Sequence, residues 1–295
     1  MKVLIGIDSS SASKTVLETV AARPWPEGSI FRIINAVDPT PIARFPALVQ
    51  DAMRSAEALT RAAAAQLVKA GHKADSEVLM GPARKEVSKY AKAWGADFVY
   101  VGSHGRGAIS RFLLGSVAHA VLRAAPCSVG VVRPAPTTSD ASSGLKILLA
   151  VDGSECSMAA AQSVAGRPWP ARSELKIVSV AQVVVPGDEL SASSMSPIYP
   201  ANLLETLMEE GTARAKDAMA TADKFFKGTG LSVLAPSKPP NGDPRLVILQ
   251  LAEDWHANLI VLGSHGWTGL DRILMGSVSE SVALHANCSV EVIRA

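Results

Sequence analysis

The sequence predicts an α/β protein of two tandem doubly wound domains, each with a five-stranded parallel sheet and helices on both faces. Short apolar runs alternate with longer segments of helical spacing along the chain, as expected for βαβ units in a sheet that is covered on both faces. This pattern occurs twice. The length of 295 residues also suits about two domains.

The repeat is visible in the residues themselves. KVLIGIDSSSAS (Lys2 to Ser13) returns as KILLAVDGSECS (Lys146 to Ser157), an offset of 144 residues. Later the offset becomes 161, so the second copy carries about 17 extra residues, which we place in the Ser/Pro-rich stretch around 191–200. Because PAPTTSDASSG resembles a linker in composition, we predict domains at 1–136 and 145–295, joined by a linker at 137–144.

In the first copy, VLIGI is too short for a helix and ends at Asp8, which indicates a buried strand. Helices are expected to end before Pro24 and at Gly71 and Gly95, and Pro82 starts one of them. The predicted order is VLIGI, SKTVLETVAARP, FRIINAV, ALVQDAMRSAEALTRAAAAQLVKAG, SEVLM, PARKEVSKYAKAWG, DFVYVG, GSVAHAVLRAAP and CSVGVVR, with strands and helices in alternation.

The second copy departs from this order in its middle. There VLAPSKPPNGDPR replaces SEVLMGPAR. Prolines at positions 236, 239 and 240 disfavour a central third strand. We therefore expect the wall of the second ligand site to be displaced, which favours the site of the first copy.

Composition excludes several classes of protein. The chain is 48% hydrophobic and 19% charged, with a net charge of +2, which suits a globular core and gives no basic arm for nucleic acid. MKVLIGIDSS is too short for a signal peptide, and the apolar runs fall far below the roughly 20 residues of a membrane span. Three cysteines form no CxxC motif. We expect a soluble, cytoplasmic protein with no membrane or nucleic-acid partner.

A glycine phrase follows the fourth strand of each copy, GSHGRGAISRFLLGS from Gly102 and GSHGWTGLDRILMGS from Gly263. Ligands of open parallel sheets bind beyond the carboxyl ends of strands, where Asp8 and Asp152 also lie. Glycines allow close approach, and a helix that starts at Gly-Ser offers free N–H groups and a positive dipole end to a phosphate. The phrase is neither a Walker loop nor the dinucleotide fingerprint.

Together with the aspartate after the first strand, this phrase resembles that of the universal stress proteins, over almost the whole chain as a tandem pair. The resemblance implies a Rossmann-like, adenine-nucleotide alpha hydrolase-like fold and up to two bound ATP molecules (or another adenine nucleotide), with or without Mg²⁺. We add His104 and His265, inside the loops, as phosphate or loop contacts. The predicted nucleotide-binding residues are Asp8, Ala36, Gly102, His104, Gly105, Gly115, Ser116 and Val117 in the first copy, and Asp152, Val180, Gly263, His265, Gly266, Gly276, Ser277 and Val278 in the second.

Several of these residues have an alternative structural role. Asp8 and Asp152 are equally suited to capping the next helix, and either histidine can be structural. Ser103-His104 suggests nucleophilic catalysis, but neighbours in sequence rarely face each other as nucleophile and base, and GSHG is not the GxSxG elbow. We assign no catalytic residue and no metal site.

Two other pairs recur between the copies. Arg111 and Arg272 suit either a fork to phosphate or a surface ion pair. Cys127 and Cys288 suit small buried hydrophobes better than redox chemistry.

The leading hypothesis is an ATP-binding universal stress protein that acts as a stress-response binding or signalling module. The first alternative is a slow ATPase or a nucleotidyl- or phosphoryl-transfer enzyme, which needs a positioned base and usually Mg²⁺. The second is a scaffold with empty sites. Single-domain members of the family dimerise through their last strand, so the resemblance implies that the two domains pair through CSVGVVR and CSVEVIR. A further homodimer is plausible.

Overall fold

The computed structural model describes residues 1–105, 114–134, 144–182, 201–234, 238–266 and 275–295. Strands and helices alternate through these ranges, so the predicted fold class is confirmed. The strands are β1 (Lys2–Gly6), β2 (Ile30–Val37), β3 (Lys73–Met80), β4 (Phe98–Gly102), β5 (Ser128–Val132), β6 (Lys146–Ala150), β7 (Glu174–Val178), β8 (Ser232–Val233), β9 (Leu259–Gly263) and β10 (Ser289–Ile293). The helices are α1 (Ser11–Ala22), α2 (Pro46–Lys69), α3 (Ala83–Trp94), α4 (Ser116–Ala124), α5 (Glu155–Ala165), α6 (Ala201–Asp223), α7 (Pro244–Asp254) and α8 (Ser277–His285).

The strands form one ten-stranded sheet in the order β3-β2-β1-β4-β5-β10-β9-β6-β7-β8. Neighbouring strands are parallel within the first half (residues up to 134) and within the second half (residues from 144). β5 and β10 run antiparallel, with Gly130 opposite Glu291. In each half the strand order reverses beside the first strand, so the carboxyl ends of β1 and β4, and of β6 and β9, meet at a switch point.

Two apolar layers enclose the sheet, because successive residues of a strand point to opposite faces. Val3 and Ile5 pack against α1 and α2, whereas Leu4 between them packs against α3 and α4. The second half repeats this arrangement, with α5 and α6 on the first face and α7 and α8 on the other. The carboxyl ends of the parallel strands meet at one edge in each half, which we call its ligand edge, and the antiparallel β5–β10 pair places these two edges on opposite sides of the sheet.

The third strands lie at the two outer edges of the sheet, so in the second copy, too, the third strand is not central. β3 has eight residues, but β8 has only two. Ala181 donates its N–H to the Pro240 carbonyl (2.8 Å), which ties the proline-rich segment to the end of β7. The extra residues around 191–200, position 236 and linker residues 137–143 lie outside the described residues.

No helix in the described ranges has both the length and the apolar character needed to cross a membrane.

Candidate functional site

Each half has a cavity at the carboxyl ends of its strands, of about 240 Å³ in the first half and about 640 Å³ in the second. We call them cavity one and cavity two. All the residues predicted for each copy line the corresponding cavity, and their role in binding stays a prediction. They are Asp8, Ala36, Gly102, His104, Gly105, Gly115, Ser116 and Val117 in cavity one, and Asp152, Val180, Gly263, His265, Gly266, Gly276, Ser277 and Val278 in cavity two.

Both aspartates are held by the start of the following helix. Asp8 Oδ1 accepts from the backbone N–H of Ser10 (2.9 Å) and from the hydroxyls of Ser10 and Ser13. Asp152 Oδ1 accepts from the N–H (2.9 Å) and the hydroxyl (2.6 Å) of Ser154. The N-cap residues are these serines, Ser10 and Ser154. The aspartates therefore support the cap without being the cap, and one oxygen of each fixes the direction of the other.

The second carboxylate oxygen lies against the middle glycine of the phrase. A Cβ added to Gly105 would lie 3.2 Å from Asp8 Oδ2, and one added to Gly266 only 2.6 Å from Asp152 Oδ2. Glycine at these positions therefore lets the loop reach the aspartate. This contact brings the end of the first strand and the glycine loop into one cavity wall.

The two ends of the glycine phrase also meet. Gly115 donates its N–H to the Ser103 carbonyl (2.7 Å), and Gly276 does the same to Ser264 (2.8 Å). Gly115 and Gly276 are the N-caps of α4 and α8, and neither provides a side-chain cap. The first turns of both helices, with their N–H groups and positive dipole ends, therefore face the cavities. Residues 106–113 and 267–274, including Arg111 and Arg272, lie outside the described residues.

The first glycine of each phrase has a packing role. A Cβ on Gly102 would lie 2.8 Å from the Ala12 Cβ, and one on Gly263 would lie 2.6 Å from the Cys156 carbonyl carbon. These glycines allow β4 and β9 to approach the starts of α1 and α5. They line the cavities, but their first effect is to bring the aspartate and the glycine loop together.

Each loop histidine is bonded to the serine before it. His104 Nδ1 lies 2.7 Å from Ser103 Oγ, and His265 Nδ1 lies 3.0 Å from Ser264 Oγ. These sequence neighbours do bond to each other in both halves. Ser103 is nevertheless fully buried, so the bond orients the ring and does not present a nucleophile. Burial, together with the charge of Arg294, lowers the pKa of His265.

The sequence reasoning missed several residues that shape the cavities. Ser13 and Ser157 line them and occupy the same position of the repeat, which is a signal that the sequence contains. Buried Asn35 donates its amide to the Ile7 carbonyl (2.6 Å) across the ends of β1 and β2. Both features stabilise the strand ends from which the ligand edge is built.

Cavity two has an additional wall from α6. A Cβ on Gly211 would lie 2.4 Å from the Gln182 carbonyl oxygen, so the helix backbone directly approaches the segment after β7. Arg214 Nη2 donates to that same carbonyl (3.3 Å), and all three residues line the cavity. None of the α2 residues lines cavity one. Cavity two thus has a wall that cavity one lacks, and which copy is the better ligand site stays a prediction.

Cys127 and Cys288 have the character of small buried side chains. Burial raises the pKa of Cys127 to about 11 and that of Cys288 to about 12, as for small hydrophobic side chains. The described ranges contain no cluster of three or more His, Cys, Asp or Glu residues suited to a metal ion.

A sequence profile of the Universal stress protein family matches residues 1–133 and 145–294. A universal stress protein of Bacillus subtilis is 29% identical over 151 residues, covering 50% of this chain and 98% of that protein. Another, from Methanocaldococcus jannaschii, is 32% identical over 149 residues, covering 50% and 81%. The crystal structure of a universal stress protein from Archaeoglobus fulgidus shares the fold, with a TM-score of 0.63 and 21% identity over 99% of this chain and 96% of that one.

Proposed function

Because the chain belongs to the universal stress protein family, we propose that it binds two adenine nucleotides and acts through binding or conformation in a stress response. ATP is the nucleotide that we propose, and a cytoplasmic location belongs to the same proposal. One observation carries it. In each half a fixed carboxylate, a glycine loop and the N-terminus of a helix converge on one cavity.

The chemistry of the cavity walls suits the parts of a nucleotide. Backbone N–H groups at a helix N-terminus favour phosphate, and the Ser116 and Ser277 hydroxyls add donors beside them. Asp8 and Asp152, each held through one oxygen, suit ribose hydroxyls, which donate hydrogen bonds to a carboxylate. The space beside each aspartate exists because a glycine faces it.

The apolar ends of the cavities suit a base. Ala36, near the end of β2, lines cavity one. Val180, just after β7, lines cavity two. Ligand cavities usually measure about 300–1,000 Å³. Cavity two, at about 640 Å³, lies within that range, and cavity one, at about 240 Å³, lies just below it. We therefore propose that cavity two has room for a nucleotide, and that cavity one is the more confined of the two sites.

We also propose that the two halves act as a fixed pair within one chain. The support is the antiparallel ladder of β5 with β10, in which Val129 faces Val292 and Val131 faces Val290. This ladder joins the strands of both halves in one sheet.

The direct test is mass spectrometry of ligand released by denaturing freshly purified protein, followed by calorimetric titration with ATP. We expect adenine nucleotide in the released material and two sites in the titration. Folded protein that carries no nucleotide and gives no heat with ATP, ADP or AMP would contradict the proposal.

Matched variants assign the two sites. A Cβ on Gly115 would lie 3.3 Å from the Ser103 carbonyl, and one on Gly276 3.1 Å from that of Ser264. Valine at either position should therefore obstruct the phosphate side of one site, with a loss of affinity of about 100-fold or more, equivalent to about 2.7 kcal/mol. Gly115→Val should retain only site two and Gly276→Val only site one. Two undiminished sites in a folded variant would rule out the phosphate-loop assignment.

A further inference from the structure

The junction between the halves places equivalent positions of the repeat opposite each other. Gly130 and Glu291, 161 residues apart in sequence, are partners across the β5–β10 ladder. His119 and Glu280 have the same separation, and His119 Nε2 lies 2.9 Å from Glu280 Oε1. At both places the chain has unlike residues where a symmetric pair would have identical ones.

One set of contacts across the junction is symmetric. Arg133 donates to the Ala283 carbonyl (2.7 Å) in the last turn of α8. Arg294, at the equivalent position of the repeat, donates to the Leu122 carbonyl (3.0 Å) in the last turn of α4. Each arginine satisfies the C-terminus of a helix in the other half. These contacts favour pairing but do not distinguish like from unlike halves.

The centre of the junction is asymmetric. Glu291 is 1% exposed and accepts from Arg23, from Arg167 (2.7 Å) and from the Tyr100 hydroxyl (2.7 Å). Burial opposes ionisation of Glu291, but the two guanidinium groups outweigh it and lower its pKa to about 2. A Cβ on Gly130 would lie 2.3 Å from the Tyr100 ring. One half therefore supplies the acid, and the other supplies the tyrosine and the space for it.

The arginines are shared between the halves as well. Arg23, from the first half, stacks 4.1 Å over the Trp169 ring of the second half. Arg167, from the second half, lies 4.9 Å over the Phe98 ring of the first. A single carboxylate thus serves one buried cation from each half, and aromatic faces of the opposite half cover the guanidinium groups.

Like pairs would lose this balance. Two first halves would bring together two copies of Arg23 with Gly130 on both sides, and so with no acid. Two second halves would place Glu291 directly opposite Glu291, and Glu280 opposite Glu280. Buried charges without partners and like charges directly across a ladder are both destabilising.

We propose that the face formed by β5 and α4 is a selective docking surface, whose partner must be the acid-bearing face of β10 and α8 and not a second copy of itself. The inference rests on the proposed pairing within one chain. It adds that Glu291 decides which halves pair, so a second chain can join through this face only by exchanging unlike halves.

The first test uses the intact chain. Glu291→Gln keeps the size of the side chain but leaves both arginines without an acid, so the midpoint of thermal unfolding should fall by about 5–10 °C. Glu280→Gln, at a partly exposed position of the same junction, is the matched control. It should change the midpoint of thermal unfolding by about 2 °C at most. Equal shifts in the two variants would overturn the role of Glu291.

The second test measures the choice of partner. A protease site inserted between residues 134 and 144 lets the folded chain be cut, and the cut protein is mixed with a heavy-isotope preparation and followed by native mass spectrometry. In the wild-type protein, the abundance of like pairs (two first halves or two second halves) should be about tenfold or more below that of random assortment, which corresponds to about 1.4 kcal/mol. Their abundance should rise in Glu291→Gln. Equal distributions in the two proteins, including no exchange in either, would overturn the proposal. Separation of the wild-type halves into monomers would instead overturn the proposed pairing itself.

Discussion

The two cavities are alike around the aspartate and the glycine loop, and they differ in the contribution of a long helix. In both, the carboxylate is held by a cap serine, the glycine loop lies against it, and a helix starts beside a glycine. Of the two, cavity two alone is lined by the long helix after the second strand of its half, α6. Its volume is about 640 Å³, against about 240 Å³ for cavity one. A duplicated fold can therefore retain the part that suits phosphate and ribose while the remainder of the cavity diverges.

The difference arises from one close approach. Gly211 allows the backbone of α6 to touch the Gln182 carbonyl, and Arg214, one turn later, donates to the same oxygen. In the first half α2 buries Ala63, Ala64 and Leu67 against the sheet but lines no part of cavity one. Cavity two should accordingly respond to changes in α6, and cavity one should be insensitive to changes in α2.

Among changes to the helices that follow the second strands, the largest expected effect is that of Gly211→Val. Its side chain would collide with the Gln182 carbonyl, because even a Cβ would lie 2.4 Å away, and α6 must then move off the cavity. We expect ATP affinity at site two to fall by about tenfold or more, or about 1.4 kcal/mol, with site one unchanged. Titration in the Gly115→Val and Gly276→Val backgrounds separates the sites.

Gln50→Val, at an exposed position of α2, is the matched control and should leave both affinities within about twofold. Equal weakening of both sites by Gly211→Val would show a general loss of structure. No weakening at either site would remove α6 from the binding site.

A smaller effect is expected from Arg214→Gln. Its guanidinium lines cavity two next to the Gln182 carbonyl, so it should attract an anionic ligand over a short distance. Because the side chain is exposed, we expect a loss of about 3- to 10-fold at site two in low salt, and a smaller loss in high salt as screening increases. Arg54→Gln on α2, where Arg54 is 72% exposed beside Asp51, should change neither site. A loss that is independent of salt would indicate a hydrogen-bonding or packing role for Arg214.

Local signals in the sequence predict much of the fold, and they predict that the aspartate and the glycine loop lie together in each cavity. The spacing of apolar residues predicted the strands and helices, and residues such as Pro24 and Gly95 predicted where helices end. Gly95 has the left-handed conformation (φ 68°) expected of a helix end. Asp8 and Gly105 were predicted to act together because strands of this order place their ends at one edge. The contact between them is a direct consequence of the topology.

What the sequence did not predict depends on distant contacts. The order of strands is set by packing, so the third strands could not be placed at the edges from the prolines alone. The wall of cavity two needs α6 to approach Gln182, and Gly211 is an isolated glycine within a helical pattern, whose partner is 29 residues away. The shared acid, Glu291, lies in an apolar strand pattern, and its two arginines come from different copies of the repeat.

The smallest expected effect concerns the loop histidines. Burial lowers the pKa of His265 below the ordinary value of about 6.5. The ring is therefore mostly neutral at pH values of about 6.5 and above. His265→Gln should weaken site two by about twofold, and the ratio of variant to wild-type affinity should stay constant between about pH 6.5 and 8. Taking the ratio removes the titration of the nucleotide itself. His104→Gln is the matched variant at site one. A ratio for His265→Gln that falls as the pH falls would show that the ring binds phosphate as a cation, and that the burial of this side chain is relieved when nucleotide enters.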